Sequence, residues 1–86
     1  MQKHTKIYLR HFGYSQLDYE YIPCEGCGGN TIDIHHLLPR SLGGGNDIEN
    51  LCAVCRVCHD RAHTFPSWNE YLKIKHLKYL NDYESA

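Results

Sequence analysis

Between Thr31 and Leu38 (TIDIHHLL), apolar and polar residues alternate at Ile32, Asp33, Ile34 and His35. A period of two predicts a β-strand, because successive strand side chains point to opposite faces. Pro39 ends regular pairing. Arg40 to Asn46 (RSLGGGN) reads as a glycine-rich loop, and Asp47 to Ala53 (DIENLCA) as a short strand or turn. Other segments read as helix. Thr5 to Phe12 (TKIYLRHF) fits one or two turns closed by Gly13. Val57 to Thr64 predicts a helix that Pro66 interrupts. Ser67 with Glu70 three residues on forms a capping box, which predicts a last helix from Trp68 to about Tyr83. Trp68, Leu72, Tyr79 and Leu80 share one face of it, with Leu77 alongside, as expected of core packing. Ser15 to Ile22, rich in tyrosine and acid, fits neither period. Short strands and helices together predict a small α+β fold.

The chain has 86 residues, the size of one small domain spanning 1–86. Such a domain buries only about 60% of its unfolded surface, so its core needs reinforcement. With 42% hydrophobic and 22% charged residues the chain reads as globular rather than disordered. It holds no apolar run near the roughly 20 residues of a membrane span, and no membrane partner is expected. No apolar stretch follows Met1 to Lys6, which argues against a signal peptide and for a cytoplasmic location. The net charge of −1 denies it a chain-wide basic footprint. The basic clusters at Lys3, Lys6 and Arg10, and at Lys73, Lys75 and Lys78, read as solvated faces.

Five cysteines and seven histidines change this picture. Cys24-x2-Cys27 and Cys55-x2-Cys58, 27 residues apart, read as two knuckles closing one tetrahedral zinc site. Disulfides need an exported chain, and a redox motif needs only one such pair. A four-thiolate shell leaves zinc no open position, so this ion staples the fold rather than reacting. Cys52 reads as a small buried hydrophobe.

Four histidines have organised spacing. His35 and His36 are adjacent at the end of the predicted strand, and His59 and His63 are four apart, on one face of a helix. Clamped together, they make a second metal site with an open position. His4, His11 and His76 lack such company and read as ordinary polar or core histidines.

The segments CEGC, DIHHLLPRSLGGGNDIENL and CRVCHDRAH resemble the HNH endonuclease family, in particular its compact phage and bacterial members with two CxxC knuckles. The resemblance runs from Cys24 to His63, with 14 residues from His36 to Asn50 and nine from Asn50 to His59. It implies a ββα-metal core, two antiparallel strands and a helix around one ion, here with flanking helices. It assigns His36 as the general base, His35 and His59 as ligands of the catalytic ion, and Asn50 as the residue that pins the base-bearing loop. His63 matches a third ligand of the colicin-type DNases, which share the HH and HxxxH arrangement; in other members that position is not a ligand. Asp33 would either orient a ligand ring or bind the ion itself. Arg40 would either hold a phosphate or stand solvated in its loop.

The implied activity is metal-dependent hydrolysis of DNA phosphodiester bonds, with nicking and low sequence specificity. An imidazole near neutrality suits the base, and an open divalent ion suits charge stabilisation. The cofactors are structural zinc and a catalytic Mg2+, Mn2+ or other transition-metal ion. The implied partners are DNA, a second copy of the chain for duplex cutting, and phage packaging or recombination proteins. The implied setting is a bacterial or phage-infected cell. Tyr8, Tyr14, Tyr19, Tyr21 and Trp68 would serve either a dimer interface or the core. The competing reading is a non-catalytic zinc-ribbon-like module that binds nucleic acid or protein. Such a module has no use for the HH pair, Asn50 and HxxxH together.

Overall fold

The computed structural model describes residues 2–14 and 21–85. The tyrosine-rich segment that fits no period lies mostly outside these residues, from Ser15 to Glu20, and Tyr19 with it. Among the described residues, three helices and a two-stranded antiparallel sheet follow in the order α1 (Lys3–His11), β1 (Asp33–His36), β2 (Leu51–Val54), α2 (Arg56–Thr64) and α3 (Pro66–Glu84). Single 3-10 turns at Arg40–Leu42 and Ile48–Asn50 shape the long connection between the strands. This is the α+β architecture expected. Among the described residues no helix is long and apolar enough to cross a membrane.

The strands pair Asp33 with Val54, Ile34 with Ala53, His35 with Cys52 and His36 with Leu51. β2 is buried along its whole length. Its period of two therefore feeds two cores, one on each face. Leu51 and Ala53 join Ile34, Tyr8, Phe12 and Leu80 against α1. Cys52 and Val54 join Cys24, Cys58, Leu37 and Leu72 beside the cysteine knuckles. Cys52 is thus the buried apolar residue expected, and burial raises its thiol pKa well above the ordinary value.

The last helix departs from expectation at its start. Pro66 is its first residue, Phe65 is the extended cap, and no side chain caps it. Proline has no N–H to lose in a first turn and its φ is already helical, so it begins the helix rather than breaking the pattern. Ser67 then lies inside that turn, and the capping box is not formed. The buried stripe is Leu72, His76 and Leu80, spaced by four. Trp68 and Tyr79 are half-buried, and Leu77 is exposed. His76 takes the position in the stripe where an apolar residue would be expected.

Glu25 explains how a histidine fits there. Its carboxylate accepts from the Tyr8 hydroxyl at 2.8 Å and the Ala53 N–H at 3.0 Å. His76 Nδ1 lies 2.7 Å from the other carboxylate oxygen, and His76 Nε2 lies 2.6 Å from the Ile48 carbonyl. Both ring nitrogens face pure acceptors, so both carry protons. Burial pulls His76 down, but the Glu25 hydrogen bond and charge outweigh it and raise its pKa. Tyr8, Glu25 and His76 tie α1, the first knuckle and α3 together through the core. This fixes Tyr8 as core rather than interface, and the reading of His76 as a core histidine holds.

Candidate metal centre and cleft

The two metal-ligand clusters predicted from spacing are both assembled. The sulfurs of Cys24, Cys27, Cys55 and Cys58 all lie within 4.8 Å of one another. The first knuckle closes through Gly28 N–H to the Cys24 carbonyl at 2.8 Å and Cys24 N–H to the Gly29 carbonyl at 2.7 Å. Gly26 must be glycine: a Cβ there would sit 2.9 Å from Cys58 Sγ and from Leu72 Cδ2. The second knuckle runs directly into α2. Cys55 caps that helix by accepting from the Cys58 N–H, which pulls its thiol down to about 7. Four sulfurs at one point, two of them in the core, fit a closed tetrahedral zinc shell.

The imidazoles of His35, His59 and His63 form the second cluster, again within 4.8 Å. The Nε2 atoms of His59 and His63 are 3.3 Å apart, as the i, i+4 spacing on α2 dictates. Asp33 and His35 alternate onto the same face of β1. Asp33 Oδ2 stands 3.5 Å from His59 Nε2, the same nitrogen that faces His63, so its carboxylate lies at the cluster itself rather than behind the ring. Burial lowers the His35 pKa, which keeps the ring neutral, the form that binds metal.

His36 points the other way, toward α1. The residues alone had suggested four histidines in one cluster, but strand alternation separates the vicinal pair. The His36 ring packs at 4.5 Å from that of His4, and both line the same cleft as the three-histidine cluster. The cleft measures about 600 Å³, and Lys3, Arg40 and Asn46 also line it. The family model for HNH endonucleases matches residues 24–65. The chain carries an HNH domain.

Two curated relatives match part of the chain. A type IV methyl-directed restriction enzyme of Escherichia coli K12, EcoKMcrA, is 30% identical over 61 residues, covering 59% of this chain and 22% of the relative. Anaredoxin of Nostoc sp. is 48% identical over 29 residues, covering 34% of this chain and 38% of the relative. The chain thus spans well under half the length of either. No solved structure matches it. At the level of the family, an HNH domain implies nuclease activity on DNA.

Asn50, from the 3-10 turn before β2, holds the HNH loop as the resemblance implied. Its Oδ1 accepts from the Leu38 N–H at 2.7 Å, and its Nδ2 donates to the carbonyls of Leu38 and Gly45 at 3.1 and 2.9 Å. Gly44 closes the same loop against the Leu38 carbonyl, where any Cβ would collide. Arg40 is exposed on the lip of the cleft.

Three residues at the HNH site carried no motif signal. His4 is 8% exposed; burial and the neighbouring His36 lower its pKa. Asn46 Oδ1 lies 2.9 Å from His36 Nε2, and Asn69 Oδ1 lies 2.9 Å from His35 Nε2. Nothing local in α3 announces Asn69.

Proposed function

We propose that this HNH domain is a metal-dependent DNA endonuclease that nicks one strand per site. The observation that carries this reading is the shared cleft, with three imidazoles converging on one side and His36 on the other. His35, His59 and His63 would hold a divalent ion, and Asp33, beside the ion-facing nitrogen of His59, would add a carboxylate oxygen. Three neutral imidazoles fit a borderline transition metal better than Mg2+, which prefers oxygen. Bound there, the ion supplies positive charge to the phosphate and the leaving oxygen. Cys24, Cys27, Cys55 and Cys58 hold zinc that staples the fold.

His36 is the general base. With the Asn46 oxygen turned to it, Nε2 of His36 would carry the ring proton and leave the Nδ1 lone pair for the attacking water. His4 backs the ring from α1. Asn50 holds the loop that follows the base, and Arg40 at the lip offers a fork of donors to a substrate phosphate. A single base and a single ion cut one strand, so duplex cutting calls for two copies. The whole unit spans 1–86, with α3 bracing the HNH core. The binding-module reading leaves the three imidazoles, the base and its asparagine without a purpose.

The test is supercoiled plasmid incubated with wild-type or His36→Ala protein, both folded and zinc-loaded, with EDTA, Mg2+ or Mn2+. Metal-dependent nicking by wild type, and a loss of about 10²- to 10⁴-fold in His36→Ala, is expected. Equal activity in both would remove His36 from the role of base. No cleavage with any divalent ion would return the chain to the binding-module reading.

A further inference from the structure

We propose that Asn69 selects the imidazole tautomer of His35 and thereby makes Nδ1 the atom that His35 offers to the ion. The inference rests on the ion-binding role assigned above to the three-histidine cluster. Asn69 stands in the first turn of α3, outside the HNH segment proper, and is half-buried against the end of β1. Its Nδ2 donates to the Leu37 carbonyl at 2.8 Å. A carbonyl cannot donate, so this bond settles which end of the amide is which. Oδ1 is thereby turned to His35 Nε2 at 2.9 Å. An amide oxygen only accepts, so Nε2 carries the proton.

A neutral imidazole has one proton, and with it on Nε2 the lone pair is on Nδ1. The ring stands edge-on to its partners on α2, with centroids 5.6 Å from His59 and 5.5 Å from His63 and interplanar angles of 82° and 78°. One amide therefore grips the side chain of His35 and the backbone two residues on, and fixes ring, proton and strand end together. The same bond makes His35 a better donor, since the oxygen on its N–H raises the basicity of the other nitrogen. Asn69 is a positioning residue, acting through His35.

The experiment uses 15N-labelled full chain carrying one zinc, with the histidine tautomers read from long-range 1H–15N spectra and a second equivalent of Zn2+ added. His35 should be protonated at Nε2, and zinc should move its Nδ1 signal. Asn69→Ala should mix the tautomers and weaken the second zinc by roughly 10- to 100-fold. Asn69→Asp keeps an acceptor on Nε2 and should restore the tautomer and most of the affinity. A wild-type His35 that binds zinc through Nε2 would overturn the inference, and this result needs no variant to fold. Unchanged tautomer and affinity in folded Asn69→Ala would overturn it too. A wild-type chain that binds no second zinc would instead fell the nuclease reading, and this inference with it.

Discussion

The cysteine cluster and the histidine cluster both draw on α2 and are built for opposite purposes. Cys24 and Cys58 are buried among Leu37, Val54 and Leu72, and Gly26 is pressed against one of the sulfurs. Four thiolates would fill a zinc shell and leave it no open position. The histidine cluster has one buried, one half-buried and one exposed ring, and it opens onto the cleft. Thiolates cancel the charge of a divalent ion, whereas neutral imidazoles leave it intact. On the proposed reading one chain separates holding the fold from acting on a phosphate, and nine-residue α2 joins the two because Cys58 and His59 are adjacent on it.

The largest effect should come from breaking the closed site. Cys24→Ser should release zinc and unfold the domain at 25 °C, since metal binding in so small a domain is folding free energy. Far-UV circular dichroism with a zinc assay checks this. A folded, zinc-free variant would show that the cysteine cluster is not the staple.

The second effect probes the other reinforcement of the first knuckle, the buried Glu25–His76 pair. His76→Leu strands the Glu25 carboxylate in the core and should cost about 3–5 kcal/mol at pH 6. The raised pKa of His76 means that its contribution is complete below the ordinary value of 6.5 and is lost as pH rises through its folded value. The difference between wild type and His76→Leu should therefore shrink between pH 6 and pH 9 in zinc-saturated urea titrations. Burial lowers the pKa of His4 and of His35, so their penalty grows as pH falls below 6.5, in the other direction, and cancels in that comparison. A difference that stays constant with pH would mean that His76 is buried neutral.

The smallest of these effects sharpens the open site. Asn50→Ala frees the Leu38 N–H and the carbonyls of Leu38 and Gly45, all near solvent, at about 1–3 kcal/mol. Plasmid nicking should fall by more than the stability loss explains, while affinity for the second ion stays within about twofold of wild type, because Asn50 holds the base loop and none of the three ligands. Equal loss of ion affinity would place Asn50 in the metal site instead.

Local patterns made both clusters legible. Two CxxC pairs and an HxxxH pair encode their geometry within one turn each, and the period of two placed His35 on β1. The same period implied that His35 and His36 part company. The resemblance to HNH nucleases gives them different roles, and the fold puts them on opposite faces of β1. What stayed hidden was held by long-range polar contacts. Glu25 and His76 are 51 residues apart and His35 and Asn69 are 34 apart. A buried ion pair looks from sequence like an acid in a turn and a polar break in an apolar stripe. The start of α3 was misread because Ser67 offered a good local cap, while Pro66, one residue earlier, offered a better first turn.

The division between the two sites is tested most directly by counting metal ions in His59→Ala. After equilibration with excess Zn2+ and removal of the free ion, wild type should retain two zinc ions per chain. His59→Ala should retain one, stay folded with an unchanged circular dichroism spectrum, and fail to nick plasmid. A variant that loses both ions and unfolds would show that the histidine cluster shares the structural load. One that keeps two ions would show that His59 is no ligand, and either result would contradict the account.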